Sequence, residues 1–280
     1  QTSSSSFSDA SYSFRLDYTH PFAKNNTLEV GAKYDLNFNA NDYEVADLVN
    51  GNAVINPNFT NVFEFDQKIL GVYGTYAYEV GKVGLKAGVR VENTQIGTRL
   101  ITTNANNQQD YTNIFPSVHL SYKVTKQFST QISYSKRIHR PRMWDLNPFT
   151  TIRDNLNQSF GNPGLQPEFT DSYELTAIQN WEKASMNISV FHRRTQDVVN
   201  DITEVRDSLT ITTPQNVGNS ENTGVEVNGK LSPVKWFSLL GDFNWTYFNR
   251  TGSYEQTSFA FENTRWSVRL TSKFKFPMGI

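Results

Sequence analysis

Hydrophobic and polar residues alternate with a period of two along most of the chain, the pattern of β-strands with one apolar and one polar face. In the run Val118-His119-Leu120-Ser121-Tyr122 the alternation is uninterrupted. The same pattern predicts about eleven strands and no amphipathic helix. The candidate strands cover residues 12–19, 28–38, 70–80, 83–92, 117–124, 128–138, 170–179, 186–190, 225–231, 237–247 and 266–276.

The connections between these strands alternate between short and long. Short turns are predicted at residues 21–26, 79–82, 125–127, 181–183 and 232–235. Long polar loops are predicted at residues 39–64, 93–113, 139–169, 199–220 and 251–263. Outer-membrane barrels have this rhythm, because tight turns face the periplasm and long loops face outward. The chain is therefore predicted to be all-β, an antiparallel transmembrane β-barrel with about 11 strands present.

The two faces of the predicted strands suit a membrane barrel better than a soluble sandwich. Arg, Lys, Glu and Asp recur on the polar face, and burying them between two sheets would cost several kcal/mol for each unpaired ion. A water-filled lumen accommodates these charges. Aromatic residues near the strand ends predict girdles at the membrane interfaces. They are Tyr12, Tyr18, Phe38, Phe128, Trp181, Phe237, Tyr247, Trp266 and Phe276.

Composition narrows the class of protein further. None of the 280 residues is Cys, so disulfides and thiolate metal sites are excluded. Lys and Arg total 26 against 27 Asp and Glu, so we expect no nucleic-acid partner. The sequence contains no run of about 20 apolar residues, which is the length that a transmembrane helix needs. The chain begins without Met or a signal-peptide pattern, and we expect it to continue beyond both ends in a longer precursor.

Candidate catalytic and metal-binding motifs are weak. The 4 histidines have neither helical spacing nor a carboxylate cluster nearby, and they are His20, His119, His139 and His192. No Ser lies in a nucleophile elbow, and the closely spaced glycines from Gly74 to Gly88 fall in strands and a turn rather than a phosphate loop. We therefore expect no enzyme activity, no metal and no cofactor.

The stretch from Arg137 to Glu174 is a long connection that prolines interrupt. Loops beyond about 12–15 residues are usually functional or disordered. Aromatic and aliphatic residues such as Trp144 and Phe149 argue against disorder, so we predict a structured loop.

Short motifs follow one another along this stretch. They are Arg137, Arg140-Pro141, Leu146-Asn147-Pro148-Phe149, Gly161-Asn162-Pro163, Leu165, Pro167-Glu168 and Tyr173-Glu174. Together they resemble the barrel signature of TonB-dependent outer-membrane receptors, in the variant of the Bacteroidota-type outer-membrane β-barrel family. The family run is closer to GNPDLKPE, so Gly164 and Gln166 depart from it at a turn and at a solvent-facing position. The resemblance indicates the kind of barrel and not its cargo.

The resemblance implies a barrel of about 22 strands whose lumen is filled by a separate N-terminal plug. No plug-like segment is recognised, and an odd strand count does not suit a complete barrel. We therefore expect residues 1–280 to form one incomplete outer-membrane β-barrel domain, a fragment of the larger barrel. The implied partners are outer-membrane lipid, a TonB-type energy-coupling protein acting through the missing plug, a surface lipoprotein, and a small-molecule, glycan or peptide cargo.

Two interpretations of the motif residues remain open. In the structural one, Asn162-Pro163-Gly164 forms a turn and Pro167 sets an extended start for the next strand. The residues assigned to this structural role are Pro141, Pro148, Phe149, Gly161, Asn162, Pro163, Leu165, Pro167, Glu168, Tyr173 and Glu174. In the functional one, the ligand is bound by Arg137, Arg140, Arg142, Trp144, Asn147 and Arg193.

The basic residues near the predicted outer rim form a second candidate feature. We expect them to line one side of the lumen, where they would meet an anionic group on the cargo or anionic lipid. They are Lys136, Arg137, Arg140, Arg142, Arg193 and Arg194.

Three functions are compatible with these patterns. The first is transport, in which the chain is part of a TonB-dependent receptor in a bacterial outer membrane and takes part in energy-coupled import of a bulky nutrient. The second is a passive outer-membrane channel or an adhesin-type barrel. The third is a secreted, soluble β-rich binding module.

Overall fold

The computed structural model describes residues 2–57, 59–149, 151–154 and 156–275, and for residues 151–154 only the backbone is described. The elements in chain order are β1 (Thr2–Ala23), β2 (Asn26–Val49), β3 (Asn52–Ile55), β4 (Asn61–Val80), β5 (Val83–Leu100), β6 (Ala105–Lys123), β7 (Phe128–His139), α1 (Met143–Leu146), β8 (Thr151–Asp154), β9 (Asn157–Ser159), β10 (Glu168–Asn180), β11 (Ala184–Gln196), β12 (Val199–Arg206), β13 (Leu209–Asn216), β14 (Asn219–Val234), β15 (Phe237–Tyr254) and β16 (Thr257–Phe274).

The large sheet is an antiparallel meander in the order β1-β2-β4-β5-β6-β7-β10-β11-β14-β15-β16, with β3 paired to β2. Short turns join the strands at one end, at residues 24–25, 81–82, 124–127, 181–183 and 235–236. Among the residues that the structure describes, β1 pairs only with β2 and β16 only with β15. The predicted all-β antiparallel architecture is confirmed, and each candidate strand corresponds to one strand of this path.

The strands are longer than predicted, and several predicted long loops are wrong. Residues 93–113 mostly continue β5 and β6, and residues 251–263 mostly continue β15 and β16. Residues 39–64 extend β2 and β4 and add β3, while residues 199–220 contain the hairpin of β12 and β13. The segment between β7 and β10 is largely irregular, as predicted, with the single helical turn α1 inside it.

The apolar residues change sides along the strands, which explains the error in strand length. We call the face of the sheet on which α1 packs the inner face. In β4, Leu70 and Val72 lie on the outer face with 48% and 55% of their surface exposed, whereas Phe63 and Phe65 lie on the inner face with 1% and 6% exposed. The same change occurs in β5, from Val89 and Val91 outside to Ile96 and Leu100 inside. The alternation therefore changes phase without the strand ending.

The exposed apolar residues of the outer face form a continuous band. Leu120, Ile132 and Leu175 are opposite one another in three adjacent strands, and all are exposed. Aromatic rings lie on the same face, and those of Tyr134 and Tyr173 are in contact at 5.1 Å between centroids, tilted by 38°. The predicted girdle residue Phe276 lies outside the described residues. An exposed apolar band with aromatic residues is how an outer-membrane barrel meets lipid.

The inner face of the same strands carries ionic side chains. Lys86 Nζ lies 2.9 Å from Glu29 Oε2, and Thr75 Oγ1 donates a hydrogen bond of 2.9 Å to the same oxygen. Arg15 Nε lies 2.6 Å from Asp17 Oδ2. These pairs are partly exposed, as expected of a water-filled lumen rather than a packed core.

Arginine substitutions at adjacent positions of β7 test the assignment of the two faces. Ile132→Arg places a charge in the outer apolar band, where it costs about 2–3 kcal/mol in a bilayer. Ser133→Arg places the same charge on the inner face, opposite Glu174. We expect a lower yield of folded protein for Ile132→Arg alone, measured by heat-modifiable gel migration after refolding into liposomes. Equal yields for the two variants would contradict the assignment.

Candidate binding cavity at the mouth of the barrel

The segment between β7 and β10 folds onto the inner face of β4 and β5. Its buried residues and those of the wall form one apolar group, which we call the wall cluster. The wall cluster consists of Phe63, Phe65, Ile96, Leu100, Met143, Leu146 and Leu165. Leu146 and Leu165 are fully buried, at 0% exposure, and burying a leucine contributes about 1.5–3 kcal/mol. The cluster therefore holds the segment on the wall.

Arg140 joins the same segment to β5 through buried polar groups. Its guanidinium donates to Glu92 and, over 2.9 Å and 3.2 Å, to Thr94 Oγ1. Glu92 and Thr94 are both buried. Tyr111 lies beside this group, and burial raises the pKa of its phenol, an effect that the nearby Arg140 guanidinium partly offsets.

The predicted turn at Asn162-Pro163-Gly164 is present. Asn162 Oδ1 accepts a 2.9 Å hydrogen bond from Gly164 N, and Leu165 N donates 3.2 Å to Asn162 O. Gly161 precedes the turn at a close approach to α1, where a Cβ would lie 2.5 Å from Asn147 O. The chain passes there only because Gly161 has no side chain.

The wall strand β6 supports this turn with side-chain donors. Gln109 Nε2 donates to Pro163 O at 2.9 Å and to Leu165 O at 3.0 Å. Asn107 Nδ2 also donates to Pro163 O. Buried carbonyl groups need such partners, so the Pro163-to-Leu165 part of the motif is matched to residues of β6.

The hairpin of β12 and β13, which we call the second segment, packs against the segment between β7 and β10, which we call the first segment. β13 pairs with β9 in parallel, which gives a second sheet in the order β12-β13-β9-β8. Asn216 and Gln166 exchange two hydrogen bonds, 2.9 Å from Asn216 Nδ2 to Gln166 O and 2.8 Å from Gln166 N to Asn216 Oδ1. Glu168 Oε1 accepts a 2.7 Å bond from Val199 N. The two segments thus form one structural unit.

The hairpin is also joined to β15. Tyr254 Oη donates over 3.1 Å to Glu204 Oε1, and Arg206 contacts the same carboxylate. The hydrogen bond from Arg206, with that from Tyr254, lowers the pKa of Glu204. This carboxylate therefore stays ionised at neutral pH and keeps both contacts.

The two segments and the wall strands enclose a cavity of about 370 Å³, which we call the mouth cavity. One side is formed by His139 and Glu168, which are opposite each other in β7 and β10. Its other polar lining residues are Arg142, Asp145, Asn200, Asp201 and Arg250. The cavity lies on the inner face, within the usual volume range of small-ligand sites.

Arg250 is the cation of this cavity whose charge is least compensated. It is half-buried, its Nη1 donates to Asn200 Oδ1, and its guanidinium lies 5.3 Å from the centroid of the Phe248 ring. Its Nε is buried and has no hydrogen-bond partner. No carboxylate in the described part of the chain lies within ion-pair distance of it. Arg250 therefore offers a place for one anionic group in a cavity that also contains carboxylates.

The structure separates the predicted ligand-binding residues. Arg142 lines the mouth cavity with 75% of its side chain exposed, and its Nε lies 3.3 Å from Asp145 Oδ2. Trp144 is exposed on the inner side and lies 5.8 Å from the Phe7 ring of β1, between ring centroids. Arg140 is occupied by Glu92 and Thr94.

The other predicted ligand-binding residues lie outside the mouth cavity. Asn147 Oδ1 accepts a 3.0 Å bond from Phe149 N, inside the segment. Arg137 is exposed on the inner face, while Arg193 lies 4.0 Å from the centroid of the Phe191 ring and 3.8 Å from Glu226. Arg137 and Arg193 share the inner face, as predicted from the alternation.

The prediction that all six basic residues line the lumen is wrong for two of them. Lys136 and Arg194 lie on the outer face, where Asp171 is opposite both of them in the sheet. The reason is the strict alternation of a strand, because Lys136 and Arg137 are adjacent in one strand and Arg193 and Arg194 in another.

The motif residues with a predicted structural role take part in these contacts or flank them. Pro141 and Pro167 are buried, and Phe149 packs against the wall cluster. Glu174 Oε1 accepts a 2.9 Å hydrogen bond from Thr176, and the Tyr173 ring contacts the Tyr134 ring at the outer face. Pro148 is half-buried beside Phe149.

Sequence patterns did not indicate five polar residues of the mouth cavity, which are His139, Asp145, Asn200, Asp201 and Arg250. Asn200 and Asp201 lie in a predicted loop, and Arg250 lies beyond the end of the predicted strand 237–247, in the part that the structure adds to β15. The signal that was present is the even-numbered inner face of β15, on which Arg250 follows Phe248.

Two further searches of the described residues bear on function. No helix among them has the length and hydropathy needed to cross a membrane. No group of three or more His, Cys, Asp or Glu side chains in these parts of the chain could hold a metal ion.

Comparison with known families gives one match over the entire chain. The model described as "Outer membrane protein beta-barrel family" matches residues 1–280. No curated protein matches the chain in sequence.

Comparison with solved structures shows the same fold in larger proteins. "Copper transporter OprC" superposes with a TM-score of 0.71 at 12% identity, covering 89% of this chain and 39% of that one. The siderophore receptor PiuA from Acinetobacter baumannii gives a TM-score of 0.69 at 12% identity, covering 96% and 44%. A structure of the FpvAI–pyocin S2 complex gives 0.60 at 11% identity, covering 97% and 44%. The chain thus spans less than half the length of these proteins.

Proposed function

Since the chain belongs to the outer membrane protein beta-barrel family, we propose that it forms part of the barrel of an outer-membrane importer for a bulky nutrient. The energy would come from a TonB-type coupling protein, and the barrel itself would carry out no chemistry. The outer-membrane location follows from the family and agrees with the exposed apolar band. The hypothesis of a soluble secreted module is therefore wrong.

The observation that carries the import proposal is the inward fold of two segments onto the lumen wall. Buried contacts of Leu146, Leu165 and Arg140 hold the first segment, and Asn216 with Gln166 joins the second segment to it. A passive channel has no need of such a structure across its mouth, because it conducts through an open lumen. An importer uses it to hold cargo before an energised step.

The solved structures with this fold support the same class of role. Their titles name a copper transporter and a siderophore receptor, and each of those chains is more than twice as long. We propose that residues 1–280 are one incomplete barrel domain, and that the remaining strands and a plug lie elsewhere in the protein. We further propose outer-membrane lipid, a TonB-type protein and a surface lipoprotein as partners.

Energised import and passive conduction give different results for the intact protein in its own membrane. Cells with and without its gene would be grown in one defined mixture of metal complexes, oligosaccharides and peptides. We expect at least one component to be depleted only by cells with the gene, and depletion to stop when a protonophore removes the proton-motive force.

Conductance of the purified intact protein provides the matched control. We expect no steady ion current in a planar bilayer, because the inward-folded segments obstruct the mouth. A steady current together with uptake that survives the protonophore would establish the passive channel instead. Gene-independent depletion of every component would remove the import proposal and favour an adhesin.

A further inference from the structure

We propose that the mouth cavity binds a small zwitterion, a free amino acid or a short peptide with both an ammonium and a carboxylate group, and that a basic side chain on it is preferred. This deepens the proposed function, on which it rests only in treating the bound molecule as cargo. A short peptide with both groups is then the bulky cargo, and a free amino acid is its smallest probe.

The carboxylate of the ligand is assigned to Arg250. Its guanidinium is fixed by Asn200 and lies over the Phe248 ring, so little side-chain freedom remains to be lost on binding. It has no carboxylate partner in the described structure, and its Nε has no acceptor. Arginine binds a carboxylate through two parallel N–H donors, which an α-carboxylate matches. A small shift of the side chain on binding would bring Nε into this bond.

The ammonium of the ligand is assigned to Asp201 and Glu168. Asp201 follows Asn200 in β12 and is exposed to the cavity without an ion-pair partner among the described residues. Glu168 uses one carboxylate oxygen for Val199 N, which leaves the other oxygen for a ligand. Acidic groups therefore lie in the same cavity as the uncompensated arginine.

Charge balance distinguishes between kinds of zwitterion. Arg142 and Asp145 are already paired with each other, at 3.3 Å. The remaining charged groups are Arg250 against Glu168 and Asp201, one positive and two negative. A neutral zwitterion leaves one negative charge without a partner, whereas lysine or arginine supplies the missing positive charge. An acidic amino acid would be disfavoured by like-charge repulsion.

The cavity lacks the residues that other ligand classes need. Among the described residues that line it there is no Phe, Tyr or Trp, the side chains on which a sugar ring would stack. Its carboxylates do not form a metal-binding group in the described parts of the chain. A volume of about 370 Å³ is small for a large chelate.

Isothermal titration calorimetry on the intact protein in detergent tests the assignment. The probes are L-lysine, lysinamide, Nα-acetyl-lysine, L-glutamate and maltotriose. We expect L-lysine to bind, and lysinamide and Nα-acetyl-lysine to bind at least about tenfold more weakly, since each lacks one charged hydrogen-bonding group. L-glutamate and maltotriose are expected not to bind in the same concentration range.

Variants assign each charge to a residue. Arg250→Met should lower the affinity for L-lysine at least about tenfold, with partial recovery in Arg250→Lys, and Asp201→Asn should act similarly. Lys136→Met, on the outer face, is the matched control and should bind normally. Heat-modifiable migration verifies that each variant is folded.

Two results would overturn the proposal. One is the absence of L-lysine binding to the folded intact protein, whether or not maltotriose binds, and the other is unchanged L-lysine affinity in a folded Arg250→Met variant. Calorimetry measures binding alone, so its failure leaves the import proposal standing. Import that does not depend on the proton-motive force would overturn the proposed function and leave this site standing.

Discussion

Leu165→Ala is expected to release the inward-folded segment from the lumen wall while the barrel stays folded. Leu165 is fully buried in the wall cluster, and replacing such a leucine by alanine costs about 2–5 kcal/mol. This loss of stability affects the packing of the segment and not the barrel, because Leu165 lies outside the hydrogen-bonded strands of the large sheet. Each 1.4 kcal/mol lost raises the open population of the segment about tenfold.

Amide hydrogen exchange on the intact protein measures this opening. The reporters are Gly161 N, bonded to Asn147 O at 2.8 Å, and Asn162 N, bonded to Asp145 O at 2.7 Å. Val205→Ala is the matched control, since Val205 is exposed on β12 and should leave both amides protected. If Leu165→Ala leaves the exchange of Gly161 and Asn162 unchanged, the wall cluster does not hold the segment.

The part of the fold that lies in the membrane could be predicted from sequence because one rule applies to it. Lipid requires apolar residues at every second position, so strands such as β5 near Val89 are evident from the alternation. Beyond the membrane the rule changes, since water surrounds the outer face and the inward-folded segment covers part of the inner one. Ile96 and Leu100 keep the alternation but in the opposite phase.

This change of phase is the sequence signal that distinguishes a continuing strand from the loop predicted at residues 93–113. Val91 to Ile96 is an odd spacing, and a strand with a single apolar face would have an even one. Interpreted as the end of a strand, it predicts a loop; interpreted as a change of neighbour, it predicts a continuing strand with an inner partner. The dipeptide Asn50-Gly51, with φ of 53° and 83°, likewise marks a tight hairpin turn inside a predicted long loop.

The candidate site was predictable only in part. Arg142 was included because it lies in the motif-bearing stretch, and it does line the mouth cavity. Asp201 and Arg250 are distant in sequence from that stretch. Asp201 meets it because β13 pairs with β9 and brings the β12–β13 hairpin over the mouth, and Arg250 reaches the cavity from the wall strand β15. A parallel pairing of three residues between two loops leaves no periodic signal in either sequence.

The structure gives different surroundings to two arginines that lie close together in the motif. Arg140 and Arg142 are only two positions apart. Arg140 packs against the buried Glu92, whereas Arg142 faces the cavity. Pro141 lies between them and is itself buried. If Arg140 holds the segment on the wall and Arg142 does not, variants of the two residues differ in how often the segment opens.

Arg140→Ala is expected to open the segment by about 2 kcal/mol, because a buried carboxylate loses a charged hydrogen-bond donor. Arg90 Nε, 2.5 Å from Glu92 Oε1, still offsets the charge of Glu92 but does not join the segment to the wall. Thr94, which is fully buried, also loses its donor. Faster exchange at Gly161 N and Asn162 N is the expected observation.

A double-mutant cycle shows whether the effect comes from the Arg140–Glu92 pair. Glu92→Ala alone removes the carboxylate, and the double variant should cost clearly less than the two single variants summed, by about 1.5 kcal/mol or more. Arg142→Ala is the control for loss of a basic side chain from the same segment, and should change the opening free energy by less than about 1 kcal/mol, since its contact with Asp145 is exposed. Additive effects in the cycle would mean that Arg140 and Glu92 act independently. The buried pair would then not be what holds the segment across the barrel mouth.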